Sequence, residues 1–324
     1  MSGSTTSPVA PVPGSGKNDL GVGNGPSRVL ECVGDTPLLE LTRIARDVAP
    51  VRICAKAEMH NPGGSVKDRP ALNMILDGRR SGRLTPEKTI LDATSGNTGI
   101  AYAMIGAALG YRVKLVMPRS AGAMHQRILR AYGAQLDLTP APEGNDGTIR
   151  RAIQLNEQDP DRYFYPDQYN NDANWKAHYD GTALEILRQT GGELTHFVAG
   201  LGTSGTFTGN GRRFREHNER IGLISFQPDS PMNGLEGLKH MPTSIKPGFY
   251  DESMADENLF IRTEDAQAMV KRLALEEGVL VGTSAGAAVV AALQVASRLS
   301  SGLVVTVLPD GAAKYLDHAY WVDP

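Results

Sequence analysis

Apolar and polar positions follow two alternating patterns along the chain. Short apolar runs predict strands, which lie at residues 52–58, 89–91, 112–117, 134–138, 195–200, 223–226 and 303–308. Longer amphipathic or Ala-rich segments between them predict helices, which lie at residues 68–82, 97–110, 146–157, 173–190, 263–277 and 284–298. Two more helices are expected to end near Tyr132 and Arg215. This alternation predicts an α/β fold in which mostly parallel sheets carry helices on both faces.

The length of the chain predicts more than one domain. Its 324 residues exceed what a single hydrophobic core usually serves, so we expect two domains. Residues 1–27 differ from the rest, because they are rich in Gly, Ser and Pro and show no apolar period. This composition predicts a disordered tail.

Composition and charge argue against several classes of protein. The net charge is −3 with both signs interspersed, so no basic patch indicates nucleic-acid binding. No apolar stretch reaches the ~18 residues of a membrane span, and we expect no membrane association. Cys32 and Cys54 are too few for a disulfide framework, which favours a reducing cytoplasm. We interpret both cysteines as small core or interface residues, and we expect no metal site.

Ligands of open α/β sheets bind beyond the carboxyl ends of the strands, so the loops there carry the candidate chemistry. In "HNPGGSVKDRP" (60–70), Lys67 follows a Gly-rich turn and opens a predicted helix. The positive end of the helix dipole disfavours a protonated amine, so Lys67 is a candidate nucleophile for Schiff-base chemistry. The alternative interpretation is a surface lysine on a turn.

Three further loops offer anion-binding turns or a hydroxyl. "DATSGNTG" (92–99) predicts an anion site at a helix N-terminus, or else an ordinary capped turn. "VAGLGTSGTFTGNG" (198–211) contains G-x-G-x-x-G at Gly200, Gly202 and Gly205, but Gln227 ends the next strand where a dinucleotide site needs an acid. That loop therefore favours a single phosphate. In "GTSAGAA" (282–288), Ser284 either faces the same cleft or caps a helix.

One cofactor accounts for these four loops together. Pyridoxal phosphate needs a lysine for its aldehyde, a phosphate loop and a partner for its pyridine nitrogen. The second anion site would then hold the carboxylate of the substrate. An NAD-dependent oxidoreductase is the alternative from a different class.

The motifs N-P-x-G-S-x-K-D-R, T-S-G-N-T-G, G-x-G-T-x-G-T and G-x-S-x-G-A occur here in that order. With them the chain, from residues 34–44 to 308–316, resembles the cysteine synthase branch of the fold type II pyridoxal-phosphate enzymes. The resemblance implies two αβα domains, with the cofactor in the cleft between them. It implies a larger cofactor-anchoring domain of residues 28–60 plus 166–324, and a smaller mobile substrate-binding domain of residues 61–165. It also implies a homodimer.

The resemblance implies a role for each matching residue. Lys67 forms the Schiff base and later acts as general base, Asn97 hydrogen-bonds the 3′-oxygen of the cofactor, and Ser284 faces the pyridine nitrogen. The phosphate is wrapped by Gly202, Thr203, Ser204, Gly205 and Thr206. The substrate carboxylate is bound by Thr94, Ser95, Asn97, Thr98 and Gln168.

The implied reaction is a β-replacement that gives L-cysteine. A serine such as Ser284 cannot keep the ring nitrogen protonated, which favours loss of the β-substituent to an enzyme-bound aminoacrylate. The substrate would be O-acetyl-L-serine or O-phospho-L-serine, and the donor sulfide or a thiocarboxylated sulfur-carrier protein. Cystathionine β-synthase-like or other β-substituted alanine synthase chemistry is the alternative within the class.

The chain departs from its relatives at positions that bear on specificity. Asp229 stands where relatives that prefer O-phosphoserine place an arginine, which argues against that mode. Lys239 and His240 belong either to a solvated loop or to a substitute anion site, so the leaving group stays open. His125 stands in a Met-His pair where relatives often have Glu-Arg, and we predict it on the helix surface.

Overall fold

A computed structural model describes residues 27–94 and 96–322. Its larger sheet has six strands, all parallel except the first, which pairs antiparallel with its neighbour. Across this sheet the strands, numbered in chain order, are β1 (Leu38–Glu40), β2 (Arg52–Ala57), β10 (Leu303–Leu308), β7 (His196–Gly200), β8 (Gly222–Pro228) and β9 (Glu257–Ile261).

The smaller sheet has four strands, and all of them are parallel. They are, in spatial order, β5 (Gln135–Thr139), β4 (Arg112–Pro118), β3 (Thr89–Ala93) and β6 (Tyr163–Phe164). The predicted α/β class with mainly parallel sheets is therefore confirmed.

Helices connect the parallel strands and cover the sheets. They are α1 (Asp68–Arg80), α2 (Asn97–Leu109), α3 (Ala123–Ala131), α4 (Gly144–Gln158), α5 (Ala173–Ala177), α6 (Ala183–Gln189), α7 (Gly205–His217), α8 (Thr263–Arg272), α9 (Thr283–Ala296) and α10 (Ala319–Val322). A π-helical turn, His178–Thr182, joins α5 to α6, and a second, Leu273–Glu277, follows α8.

The Ala-rich helices α2 and α9 are core helices. Both are apolar nearly all round and almost wholly buried, as expected of a helix enclosed by other elements. Glycines permit this close packing: a Cβ on Gly106 would meet the side chain of Val113, and one on Gly286 would meet the carbonyl oxygen of Ala266. The two helices that begin within the candidate loops 92–99 and 282–288 are thus tightly packed in the core.

Three strands escaped the sequence-based prediction. β1 and β6 have only three and two residues, and β9 is a sheet edge on which most side chains are only half-buried. None of the three carries the continuous apolar run that marks the central strands. Cys54 is buried in β2, whereas Cys32 is exposed.

Other expectations fall outside what the structure describes or tests. The tail prediction concerns residues 1–27, of which the structure describes only Ser27. The proposed domain boundaries and the mobility of residues 61–165 stay predictions. Among the described residues, no helix combines the length and the hydropathy that crossing a bilayer requires.

Candidate active site

A cavity of about 610 Å³ lies at the carboxyl ends of strands from both sheets. Nearly all of the predicted site residues line it, although they come from distant parts of the chain. They are Lys67, Thr94, Asn97, Thr98, Gln168, Gly202, Thr203, Ser204, Gly205, Thr206 and Ser284. The remaining predicted residue, Ser95, lies outside the described residues.

Lys67 immediately precedes α1 and borders the cavity. Burial lowers the pKa of its ammonium group, and the negative charge of Asp310 partly opposes that shift. A lowered pKa increases the fraction of neutral amine, the form that attacks a carbonyl group. The environment of Lys67 thus suits the nucleophile predicted from the sequence, and that role stays a prediction.

The loop that contains Gly202–Thr206 has no room for additional side chains. A Cβ on Gly202 would overlap the carbonyl oxygen of Gly237, and one on Gly205 would overlap the amide oxygen of Asn174. Ser204 adopts the left-handed conformation with φ 62°, and α7 begins at the next residue. Such a turn presents backbone N–H groups and the positive end of a helix dipole to an anion.

Asn174 and His178 support this loop from the side, and sequence reasoning missed both. Asn174 Nδ2 donates to Thr203 Oγ1 at 3.2 Å, and His178 Nε2 lies 3.4 Å from Thr206 Oγ1. Burial lowers the pKa of His178 well below its usual value, and nearby positive charges lower it further, so the imidazole is neutral. The sequence could have revealed them, because Asn174 and His178 lie four positions apart in a predicted helix and therefore share one of its faces.

The turn at residues 94–98 is closed by hydrogen bonds of its own threonines. Thr94 Oγ1 accepts from Gly96 N at 3.3 Å and from Gly99 N at 3.2 Å. Thr98 Oγ1 donates to Gln168 Oε1 at 3.0 Å, while Gln168 Nε2 donates to Ala93 O at 3.0 Å. Because Thr94 Oγ1 accepts twice, its own hydrogen is left to donate to an anion in the cavity.

Asn97 and Ser284 occupy the first turns of the two buried helices α2 and α9. Asn97 Nδ2 donates to Asp310 Oδ2 at 2.8 Å, and its Oδ1 is buried without a hydrogen-bond partner among the described residues. Ser284 is buried and borders the cavity. Asp310 is a further site residue that sequence reasoning did not single out.

His125 corrects one prediction. Its side chain is only 2 % exposed, so it does not lie on the helix surface. The ring packs 5.6 Å from that of Tyr315, centroid to centroid, and beside Gly96 of the 94–98 turn. Burial lowers its pKa to about 4, with help from the positive charge of Lys314. The reason is that α3 presents this face to the segment after β10, which no local pattern reveals.

Lys239 and His240 line the cavity, so they do not belong to a fully solvated loop. Lys239 Nζ lies 4.5 Å from the ring centroid of Tyr169, and burial lowers its pKa while Asp146 opposes that shift. His240 Nδ1 lies 2.8 Å from Thr243 Oγ1. A cationic side chain thus stands in the cavity wall, away from Lys67 in sequence.

The family described as "Pyridoxal-phosphate dependent enzyme" matches residues 29–310 of the chain. The chain belongs to this family. Cysteine synthase of Aquifex aeolicus is 48% identical over 301 residues, which are 91% of this chain and 92% of that protein. The resemblance to cysteine synthases that the sequence predicted is confirmed.

Solved structures of the family agree with this result. O-ureido-L-serine synthase has a TM-score of 0.86 at 36% identity, covering 91% of this chain and 94% of that one. Cysteine synthase from Entamoeba histolytica has a TM-score of 0.87 at 31% identity, covering 100% of this chain and 95% of that one. The chain therefore has the fold of the pyridoxal-phosphate family over most of its length.

The described residues fit pyridoxal phosphate. Lys67 offers an amine of lowered pKa to the aldehyde, and the loop that opens α7 offers a tight anion site to the phosphate. Ser204 Oγ and Asn97 Oδ1 are buried polar atoms without partners in the described part of the chain, which leaves them for a ligand. A dinucleotide fits less well, because the Gln227 side chain is buried and its Oε1 accepts from Met241 N at 2.8 Å.

Proposed function

We propose that the chain is a cysteine synthase that exchanges the β-substituent of O-acetyl-L-serine or O-phospho-L-serine for sulfur. One observation carries the proposal: half-buried Lys67 shares a single cavity with the 94–98 turn, whose Thr94 has a hydroxyl hydrogen left to donate. A base and a carboxylate site are the two functions that removal of the α-proton of an amino acid requires. The similarity to cysteine synthases supports the same activity.

The bound cofactor supplies the electron sink that makes the α-proton of the substrate acidic. The loop of Gly202, Thr203, Ser204, Gly205 and Thr206 would hold its phosphate, supported by Asn174 and His178. Asn97 and Ser284 would contact its ring. None of these neighbours is a carboxylate aimed at the ring nitrogen, which favours a brief elimination over a long-lived carbanion.

The polypeptide itself binds the substrate and moves the proton. Thr94, Thr98, Gln168 and, by the resemblance, Ser95 would bind the carboxylate of the substrate in the cavity that Lys67 borders. Burial keeps part of that amine neutral, so Lys67 Nζ can accept the proton and hold it while the β-substituent leaves. Closure of the cavity around the substrate would exclude bulk water and so limit competing hydrolysis.

We also propose the larger arrangement of the protein. All strands of the smaller sheet fall within residues 61–165, and those of the larger sheet fall outside it, which supports the two predicted domains. Movement of the smaller domain would close the 94–98 turn over the substrate. We further propose a cytoplasmic homodimer, which light scattering would test.

Lys239 bears on the leaving group and the donor, both of which stay open. An ammonium group in the cavity wall suits an anion, such as the phosphate of O-phospho-L-serine or a thiocarboxylate. The structural similarity to O-ureido-L-serine synthase favours a β-substituted alanine synthase of other specificity as the second candidate. Comparing sulfide with other nucleophiles at equal concentration separates the two candidates.

The deciding experiment compares Lys67→Ala with the wild type and with Lys176→Ala, a control lysine whose side chain is half exposed. We expect the wild type and the control to form L-cysteine from O-acetyl-L-serine and sulfide, with a visible absorption band that changes with the amino acid and returns with sulfide. Lys67→Ala is expected to lose both signals and keep the wild-type circular dichroism spectrum. Undiminished cysteine formation by Lys67→Ala would refute the proposal.

A further inference from the structure

Asp310 lies directly behind the cavity and gathers three donors on one carboxylate oxygen. Its Oδ2 accepts from Tyr315 Oη at 2.6 Å and from Asn97 Nδ2 at 2.8 Å, and it lies 3.2 Å from Lys314 Nζ. The residue is only 1 % exposed. Asn97 and Tyr315 border the cavity, whereas Asp310 does not. The carboxylate can therefore reach a ligand only through its neighbours.

The backbone of the same segment ties two other loops of the site together. Asp310 forms an antiparallel bridge with Ser65, and Val66 N donates to Pro309 O at 2.8 Å, which attaches the loop of Lys67. Gly282 N donates to Asp310 O at 3.2 Å, which attaches the loop of Ser284. Asp310 is thus the point at which the loops of Lys67, Asn97 and Ser284 meet.

The chemistry of the side chain determines what it does to Asn97. A carboxylate only accepts hydrogen bonds, so the carboxamide of Asn97 must direct its nitrogen toward Asp310. Without that acceptor, the nitrogen and oxygen of the amide would exchange places at little cost. The carboxylate thus selects which atom of Asn97 a ligand meets.

We propose that Asp310 is a positioning residue: its carboxylate fixes the amide of Asn97 and places a negative charge beside Lys67. The inference rests on the proposed use of Asn97 and Lys67 with pyridoxal phosphate, but not on the identity of the product. It adds a residue of the segment after β10 to a site otherwise built from the loops before helices.

The charge of Asp310 acts among several titratable neighbours. Those that face it are Lys67, Lys314, His125, Glu236, Tyr315 and Tyr320. The charge of Lys67 also acts on His178, which is neutral. Asp310 is the group that raises the pKa of Lys67 against the effect of burial, so its removal lowers that pKa.

The first test measures cofactor retention without any turnover. Holoenzymes of the wild type, Asn97→Ala, Asp310→Ala and the double variant are dialysed against decreasing concentrations of pyridoxal phosphate. We expect each single variant to bind the cofactor about tenfold more weakly, and the double variant to bind it about as weakly as Asp310→Ala, because that variant already removes the support of Asn97. Multiplied effects in the double variant, or an unchanged affinity in Asp310→Ala, would overturn the proposal.

The second test uses the near-isosteric variants Asp310→Asn and Tyr315→Phe, and it follows the pH profile of kcat. Removing the negative charge should move the acidic limb to lower pH in Asp310→Asn, whereas Tyr315→Phe keeps the charge and should leave that limb in place. Equal shifts in both variants contradict the proposal. So does an Asp310→Asn protein that fails to fold while Asn97→Ala folds, since the role would then be structural. Absence of cysteine formation in the wild type defeats the proposed function but leaves the dialysis result valid.

Discussion

Two acids and two bases form a buried ionic cluster close to Lys67 along the chain. Arg69, two residues after Lys67, forks between two glutamates: its Nε lies 2.6 Å from Glu58 Oε2 and its Nη1 lies 2.6 Å from Glu185 Oε1. Lys56 Nζ lies 2.7 Å from Glu185 Oε2. All four side chains are buried or nearly so, and their charges balance. The cluster therefore fixes the start of α1, and with it Lys67, against the larger sheet.

Replacing Glu185 with Gln should be strongly destabilising. Burial alone would raise the pKa of Glu185, but hydrogen bonds and the charges of Arg69 and Lys56 together lower it from 4.5 to about 2. At ~1.4 kcal/mol per pKa unit, the ionised form contributes about 3 kcal/mol to the free energy of unfolding. Loss of one partner from a buried ion pair commonly costs ~3–5 kcal/mol, which agrees. We therefore expect a loss of about 3 kcal/mol at neutral pH.

The matched control is Glu257→Gln, because Glu257 makes a two-pronged pair with Arg298 at 2.7 and 2.8 Å that is partly exposed. Exposed pairs contribute less than ~1 kcal/mol, so this variant should stay close to the wild type. The assay is urea unfolding of the holoenzymes with excess cofactor. Since the folded-state pKa of Glu185 is depressed, its stabilisation is complete above about pH 4.5 and is lost toward about pH 2, so wild type and Glu185→Gln should converge in that window. A Glu185→Gln protein as stable as the control at neutral pH would refute the reasoning.

Two further predictions concern Gly202 in the cavity wall and the buried His125. Gly202→Ala should weaken binding of pyridoxal phosphate roughly tenfold, because a Cβ there overlaps the carbonyl oxygen of Gly237 and overpacking costs ~1–3 kcal/mol; an unchanged dissociation constant in absorbance titrations would contradict this. His125→Gln should flatten the acid side of the stability profile. Burial depresses the pKa of His125 from 6.5 to about 4, so its neutral form stabilises the fold above about pH 6.5 and that contribution is lost as the pH falls toward 4. If the thermal midpoints of the wild type and of His125→Gln fall in parallel between pH 6.5 and pH 4, the depressed pKa of His125 is disproved.

Local patterns predicted the parts of the fold that local interactions determine. The central strands β3, β4, β7 and β10 are buried on both faces, so their apolar runs stand out in the sequence. The predicted helix 173–190 is interrupted by the π-helical turn at His178–Thr182. No periodicity in the sequence predicts that turn, because its role is to make tertiary contacts such as that between His178 and Thr206.

The candidate site was predictable where its residues act through local turns, and not where they act through distant partners. Lys67, Asn97 and Gly202 each sit in a turn whose glycines and hydroxyls are legible in one short segment. Asp310 gains its importance from Asn97, which is 213 residues away in the chain. His125 was placed wrongly for the same reason, because Tyr315 covers it from far along the chain.

The position of β10 in the larger sheet affects how the protein folds while the ribosome synthesises it. Among the described strands β10 comes last in the sequence, yet it lies between β2 and β7 and pairs with both. Until the ribosome has made residues 303–308, those two strands expose unpaired N–H and C=O groups and cannot complete their sheet. The larger sheet therefore closes only after residues 303–308 have been made, and nascent chains stalled before Leu303 should depend on chaperones and be prone to aggregate.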